Sequence, residues 1–383
     1  ILNIPADARW AQKGVIVAGG HGGGSATNQL NDPWGLFVDD DQTIVIADCW
    51  NHRIIQWKKG DTNGQVVAGG NGKGNRLDQL DRPTDVLIDK ETDSLIICDS
   101  WNGRVVRWSR RSGTTQGEIL IDNIACWGLA MDDQRYLYIS DIEKHEVRRY
   151  QIGDNNGTIV AGGRGAGLNQ FNEPRHIFVD QQQTVYVSDN NNHRVMKWNK
   201  NAKEGIVVAG GQDQGNALTQ LSHPYGLFVD TLGTIYVADS WNHRVMRWPK
   251  GAKQGTVIVG GNGQGKRANQ FQYLGGEFIT TEKNETRYIH ILNKNLFIST
   301  SRSTICCSCT NFRKFYAKTM ETIHTLDKKK NPRFYANLRV NSIELHLMIR
   351  LIQRLLKYTS IKHIDYQLLI DSLGKLREIA KKN

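Results

Sequence analysis

The stretch "DCWNHRIIQW" at residues 48–57 is written again, little changed, as "DSWNGRVVRW" at 99–108, "DIEKHEVRRY" at 141–150, "DNNNHRVMKW" at 189–198 and "DSWNHRVMRW" at 239–248. A catalytic centre needs each of its groups once, so ten residues written five times serve architecture. The opening residues Asp48, Asp99, Asp141, Asp189 and Asp239 lie 51, 42, 48 and 50 residues apart. Other landmarks keep step. "GLFVD" ends at Asp39, with counterparts ending at Asp89, Asp132, Asp180 and Asp230. A "VAGG" element ends at Gly20, Gly70, Gly163 and Gly211, and "VIVGG" ends at Gly261. A fixed period of about 45–50 residues marks a repeat architecture.

Each unit reads as four short strands: "GLFVD", then "TIVIAD" or "TIYVAD", then "RVMRW", then "GTVIVGG". Two-residue alternation and β-branched side chains mark the strands, and Gly, Asn and Asp mark the turns. No 3.6-residue apolar period occurs before residue 340, which excludes a helical solenoid. Four strands per unit, repeated, is the content of a β-propeller blade. Units begin at 33, 83, 127, 174 and 224, and the orphan strand "GVIVAGG" at 14–20 matches the fourth, outermost strand of the others. A sixth unit should begin near Tyr273, but there the pattern breaks. "GGEFITT", "TRYIHIL" and "NLFISTS" offer three inner strands without the Asp or the Asn-His-Arg turn. The expectation is an all-β, six-bladed propeller over residues 14–300, with five regular blades and a degenerate last one closed by residues 14–20. A small, basic, partly helical tail follows over 301–383, with helices at 341–357 and 361–380.

The Asn-His-Arg turn inside Asp-x-x-Asn-His-Arg, with Pro-x-Gly-Leu-x-Val-Asp upstream, resembles the NHL-repeat family of β-propellers over roughly residues 14–272. The resemblance implies that ligands are recognised on one face, where loops entering the innermost strands meet the second-to-third-strand turns. Propellers of this family often end ubiquitin ligases, after RING, B-box and coiled-coil segments. No cross-brace Cys/His spacing occurs in this sequence, so at most a recognition part is expected here.

The repeated residues are read as blade-holding residues: Asp48, Asn51, His52, Arg53, Asp99, Arg104, Asp189, Arg194, Asp239 and Arg244. Asn51 is expected to take the positive φ of the turn, with Asn51 and His52 bonding turn amides. Arg53 is expected to pair with an acidic group of its own or the next blade. Trp57, Trp108, Tyr150, Trp198 and Trp248 should wedge between sheets. The third copy departs, with Glu146 where the others carry Arg.

Specificity requires positions that vary inside this constant setting. Before the Gly, Asp or His of strand one stand Trp34, Thr84, Trp127, Arg175 and Tyr225; in the turn after the strand-two Asp stand Trp50, Trp101, Glu143, Asn191 and Trp241. On the family's geometry both sets face one side. Trp34, Trp50, Trp101, Trp127, Arg175, Tyr225 and Trp241 then form a binding rim of the composition that dominates binding energy. The alternative is that these rings pack on neighbouring loops.

Composition narrows the rest. The net charge of +11 belongs to the tail, since residues 301–383 hold 17 Lys and Arg against 6 Asp and Glu. The repeat region is balanced, which disfavours RNA as a partner without removing it. A protein or peptide is the expected partner of a monomeric propeller. No cofactor, no metal and no catalytic residue is expected. The glycines of "GGNGKG" at 69–74 recur in every unit and open no helix, so they are turn glycines and not a phosphate loop. The unrepeated His176 and His223 leave a zinc-dependent, peptide-amidating-lyase-like enzyme as the alternative. "CCSC" at 306–309, with His324 as a fourth ligand, is a second, weaker zinc candidate. Cys49, Cys98 and Cys126 are expected to be separate small packers beside strand ends. The sequons at Asn156 and Asn284 decide nothing. With no secretory signal and no apolar run long enough to cross a membrane, the cytoplasm is slightly favoured, although the N-terminus could be incomplete.

Overall fold

In the computed structural model the described residues are 4, 10, 15–154, 156–265, 270, 271, 274, 279–283, 286–293 and 296–302, the last three ranges as backbone. All belong to the first of two units, Ile1–Thr304. The tail helices, the "CCSC" cluster and His324 lie outside the described residues.

Each repeat folds as one antiparallel sheet whose four strands follow one another in chain order. The first blade comprises Pro33–Val38, Ile44–Asp48, Arg53–Trp57 and Gln65–Gly69. The second is Asp85–Asp89, Ser94–Asp99, Arg104–Ser109 and Glu118–Ile121, and the third Cys126–Met131, Tyr136–Asp141, Glu146–Gln151 and Thr158–Gly162. The fourth is Pro174–Val179, Val185–Asp189, Arg194–Trp198 and Ile206–Gly210, and the fifth Pro224–Val229, Ile235–Asp239, Arg244–Trp248 and Thr256–Gly260. First strands touch first strands from blade to blade, so they line the centre. Second strands are buried at nearly every residue, whereas fourth strands begin exposed. The fold is an all-β propeller with five regular blades. Its helical content among the described residues is a set of single 3₁₀ turns. A further antiparallel sheet pairs Val15–Gly19 with Leu296–Arg302, which pairs in turn with Thr286–Asn293 and then Ile279–Lys283.

Burial between sheets carries the packing. Trp57, Trp108, Tyr150, Trp198 and Trp248 are each at most 5% exposed, so truncation to Ala should cost about 3–5 kcal/mol. The recurring Gly before the fourth strand lies flat on this ring: a methyl at Gly205 would sit 2.4 Å from Trp198 carbons. Gly35 serves the centre, because a methyl there would stand 2.6 Å from the Cα of Asp85 in the next blade.

Register then sorts the loops. Pro33 pairs with Asp48, Asp48 with Arg53, and Arg53 with Gly69. The entry to strand one, the second-to-third-strand turn and the exit of strand four therefore share one face. The other face is stitched across blades by the repeated strand-end aspartates: Arg110 Nη1 donates to Asp39 Oδ2 at 2.9 Å and Gln183 Nε2 to Asp132 Oδ2 at 2.6 Å.

Candidate binding face

The decamer is a brace for the loop that enters its own blade. Asp48, fully buried, accepts the loop amide of Asn31 on Oδ1 at 2.7 Å, and Asn51 Nδ2 and Arg53 Nε on Oδ2, both at 2.8 Å. Arg53 carries on into the loop, donating to the carbonyls of Ser25, Ala26 and Gln29, while Asn51 also donates to Gly24 O. Asp99–Arg104, Asp189–Arg194 and Asp239–Arg244 repeat the arrangement at 2.6–2.7 Å. The pair thus lies within one blade. Burial pushes these four carboxyls above the usual aspartate value, against the pull of their amide, Asn and Arg donors.

The turn differs from expectation. After the 3₁₀ turn Cys49–Asn51 the left-handed residue is His52, with φ 52°, and not Asn51, whose side chain is committed to Asp48 and Gly24. His52 Nδ1 accepts the amide of Arg82 in the next blade's loop at 3.1 Å, and His145 and His193 accept those of Glu173 and His223. Arg therefore ties a blade to its own entry loop, and His ties it to the next one. Each loop also buries an apolar anchor completely: Leu30, Leu80, Phe171 and Leu221.

These two ties explain why the copies deviate where they do. The connectors 70–84, 163–173 and 211–223 are long, but blades two and three are joined by 122–125 alone. With no loop to hold, the second copy has Gly103 in place of His and the third has Glu146 in place of Arg. Glu146 accepts from Arg148 Nε instead, at 2.5 Å. A covalent tie stands in for the missing ones. Cys98 and Cys126 form a disulfide with Cα atoms 5.7 Å apart, which corrects their reading as separate packers; Cys49 is a free, buried thiol.

The variable residues divide by depth. Trp50, Trp101 and Trp241 are 49%, 50% and 53% exposed on their braced turns. Trp127 and Tyr225 belong instead to a buried apolar cluster that also contains Ile4 and Trp10, so they are not rim residues. Trp34 and Arg175 are half-buried beside them. Trp34 stacks on Tyr225 at 5.1 Å and meets Trp127 edge-on at 5.4 Å, and the Arg175 guanidinium lies 3.8 Å over Trp127. These inner positions pack on one another because strand-one entries converge on the centre, whereas the turns point away from it. Thr84 is buried and donates to Trp127 O, and Glu143 and Asn191 lie on the corresponding turns.

Sequence reading missed the residue that precedes each blade's Pro. Asp32, Arg82, Glu173 and His223 all have φ between 47° and 56°, and a left-handed φ just before Pro is sterically disfavoured. The X-Pro dipeptides were visible, but the backbone they adopt was not. Arg82 stands between two exposed indoles, 4.4 Å from Trp50 and 4.8 Å from Trp101. His223 lies tilted against Trp241 at 4.0 Å and meets His193 edge-on at 4.6 Å. His176 is buried in an innermost strand. Among the described residues no three His, Cys, Asp or Glu side chains gather as a metal would require. No helix among them is long and apolar enough to cross a membrane.

Residues 30–57 and 221–247 match the model of the NHL repeat. No curated protein matches the sequence. Among solved structures, an auxiliary nutrient-binding protein from Bacteroides thetaiotaomicron VPI-5482 is similar over 77% of this chain and 78% of its own, at 15% identity and a TM-score of 0.59. A protein of unknown function from the same organism gives 14% identity over 77% of each chain and a TM-score of 0.58. An auxiliary nutrient-binding protein from Bacteroides ovatus ATCC 8483 gives 13% identity over 78% of each and 0.55. At such identities the likeness is one of fold alone. The two matched segments lie within a series of repeated four-stranded blades, which supports an NHL-repeat β-propeller.

Proposed function

We propose that the protein is a non-catalytic binding module, which presents the braced face of its propeller to a protein or peptide partner. One observation carries this reading: Trp50, Trp101 and Trp241, each about half exposed, stand at equivalent turns on one face. Each follows a buried Asp that holds both the turn and the neighbouring loop. Such indoles are already fixed, so a partner that covers them gains apolar contact at little ordering cost. On this reading Val15–Gly19 and the strands it pairs with form a sixth blade that completes the ring; contact of Pro33–Val38 with Ile279–Lys283 and Thr286–Asn293 supports that. The Cys98–Cys126 bond persists in an oxidising compartment, which counts against the cytoplasmic expectation.

The test is selection of a random peptide display library on the full chain. Peptides so obtained should lose about tenfold or more in affinity for the Trp50→Ala, Trp101→Ala, Trp241→Ala triple variant. Selected peptides indifferent to the three indoles would contradict the reading. So would stoichiometric zinc that is lost when His176 and His223 are replaced, which would favour the enzyme.

A further inference from the structure

We propose that the segment bound by this face is acidic, its carboxylates read by the guanidinium groups of Arg82 and Arg175; this rests on the binding reading above. The four loop-end positions before Pro are equivalent in backbone, but their side chains are not equally satisfied. Asp32 accepts Trp50 Nε1 at 2.9 Å, Glu173 accepts Arg175 Nη2 at 2.8 Å, and His223 Nδ1 lies 3.2 Å from Asn190 Oδ1. Arg82 differs. Its guanidinium touches the rings of Trp50 and Trp101 but meets no acceptor among the described residues, and its Nε is buried without one. Arg175 repeats the theme over Trp127 and Tyr225, with Nη2 engaged by Glu173 and Nε buried without an acceptor.

The two cations lie on one tract, because Trp101 and Trp127 are themselves 6.4 Å apart. Rings flanking a guanidinium hold its plane and its charge in place, which leaves the edge to receive a planar carboxylate. Charged donors without acceptors are costly, and a carboxylate that supplies them recovers that cost as charge-assisted hydrogen bonds. The tract runs to the junction of blades two and three, where the entry loop present at other junctions is missing. Isolated carboxylates suit it better than a nucleic-acid backbone. Residues 1–300 carry as many acidic as basic side chains, and Asp81 and Glu173 lie one and two residues before Arg82 and Arg175, so no extended positive field awaits a polyanion. The matching ligand is a peptide with Asp or Glu set between apolar residues that the exposed indoles cover.

The experiment uses the display-selected peptides on the full chain. Each is synthesised in its selected form and with Asp and Glu replaced by Asn and Gln, then titrated against wild type, Arg82→Gln, Arg82→Lys and Arg175→Gln, with melting curves as fold controls. The expected result is enrichment in Asp and Glu, with amide replacement weakening binding about tenfold or more. Arg82→Gln should weaken the acidic peptide by a similar factor and leave its amide form unchanged, with Arg82→Lys between the two. Peptides that need the three indoles yet show no acidic bias, or bind equally as amides, would overturn the proposal and spare the binding module. A single-stranded oligoribonucleotide that displaces them with the same dependence on both arginines would overturn it in favour of nucleic acid. Peptides indifferent to the indoles would remove both readings.

Discussion

Arg244→Met strikes the brace of the fifth blade while keeping most of the aliphatic volume, so the loss it reports is chiefly polar. Arg244 is 6% exposed and donates to Asp239 Oδ2 at 2.6 Å, to Asn216 O at 2.7 Å, and to Ala217 O and Gln220 O at 3.1 and 3.2 Å. Asp239, fully buried, would keep only the Ser222 amide and Asn242 Nδ2 as donors. Breaking a buried pair from one side costs about 3–5 kcal/mol, because a charge is left behind. The loop carbonyls lie at a part-buried edge where water can replace the guanidinium, so their loss adds little. The second arm of the test is Asp239→Asn in the same chain. It removes the stranded charge and should return about 1–3 kcal/mol. Chemical denaturation followed by circular dichroism gives both numbers, and hydrogen exchange should show the Gly215 and Ser222 amides losing protection first. A loss below about 1 kcal/mol, or a double variant less stable than the single, would refute the brace.

Other expectations follow from the same geometry. Trp127→Ala should cost about 3–5 kcal/mol in a denaturant melt, since Trp127 is 5% exposed, whereas Trp101→Ala, at half exposure, should stay within about 1 kcal/mol of wild type. Equal losses would erase the division between buried and exposed rings. Cys126→Ser, or reductant on the wild type, should remove about 3–4 kcal/mol, given cysteines 28 residues apart; melts unchanged by reductant would deny the bond a role. Burial holds the imidazoles of His52, His193, His223 and His243 below the usual histidine value. The unfolded chain therefore takes up protons that the fold refuses, and stability present above a pH of about 6.5 is lost as pH falls through and below it. Melting points measured from pH 8 to pH 5 should drop and His193→Gln should shallow the drop, while a flat profile would contradict the neutral, buried imidazoles.

The five blades were legible because their information is local and repeated: strand alternation, turn residues and a period carried by Asp48, Arg53, Trp57 and their copies. What the repeat is for was half legible. The Asp–Arg pair was foreseeable from charge, but its real object, the entry loop, lies 24–28 residues upstream of Arg53 and is met through backbone carbonyls that carry no side-chain signature. The short interval between Asp99 and Asp141 was the visible trace of the missing loop. Gly103, Glu146 and the Cys98–Cys126 pair were its consequences, and only their arrangement in space joins them. At the face, sequence could find the unrepeated aromatics but could not rank their depth. Trp50 and Trp127 look alike in a string, yet one sits on an outward turn and the other where strands converge.

On the function proposed above, repeated residues hold this propeller together while unrepeated residues on its braced face meet the partner. One paired measurement addresses it: stability and affinity for the selected peptides, recorded together for Arg244→Met and for the Trp50, Trp101, Trp241 triple alanine variant. The first should lose about 3–5 kcal/mol of stability and keep its affinity in the folded fraction, while the second should keep its fold and lose about tenfold or more in affinity. A triple variant that binds as wild type does, or an Arg244 variant that loses affinity without losing stability, would contradict it.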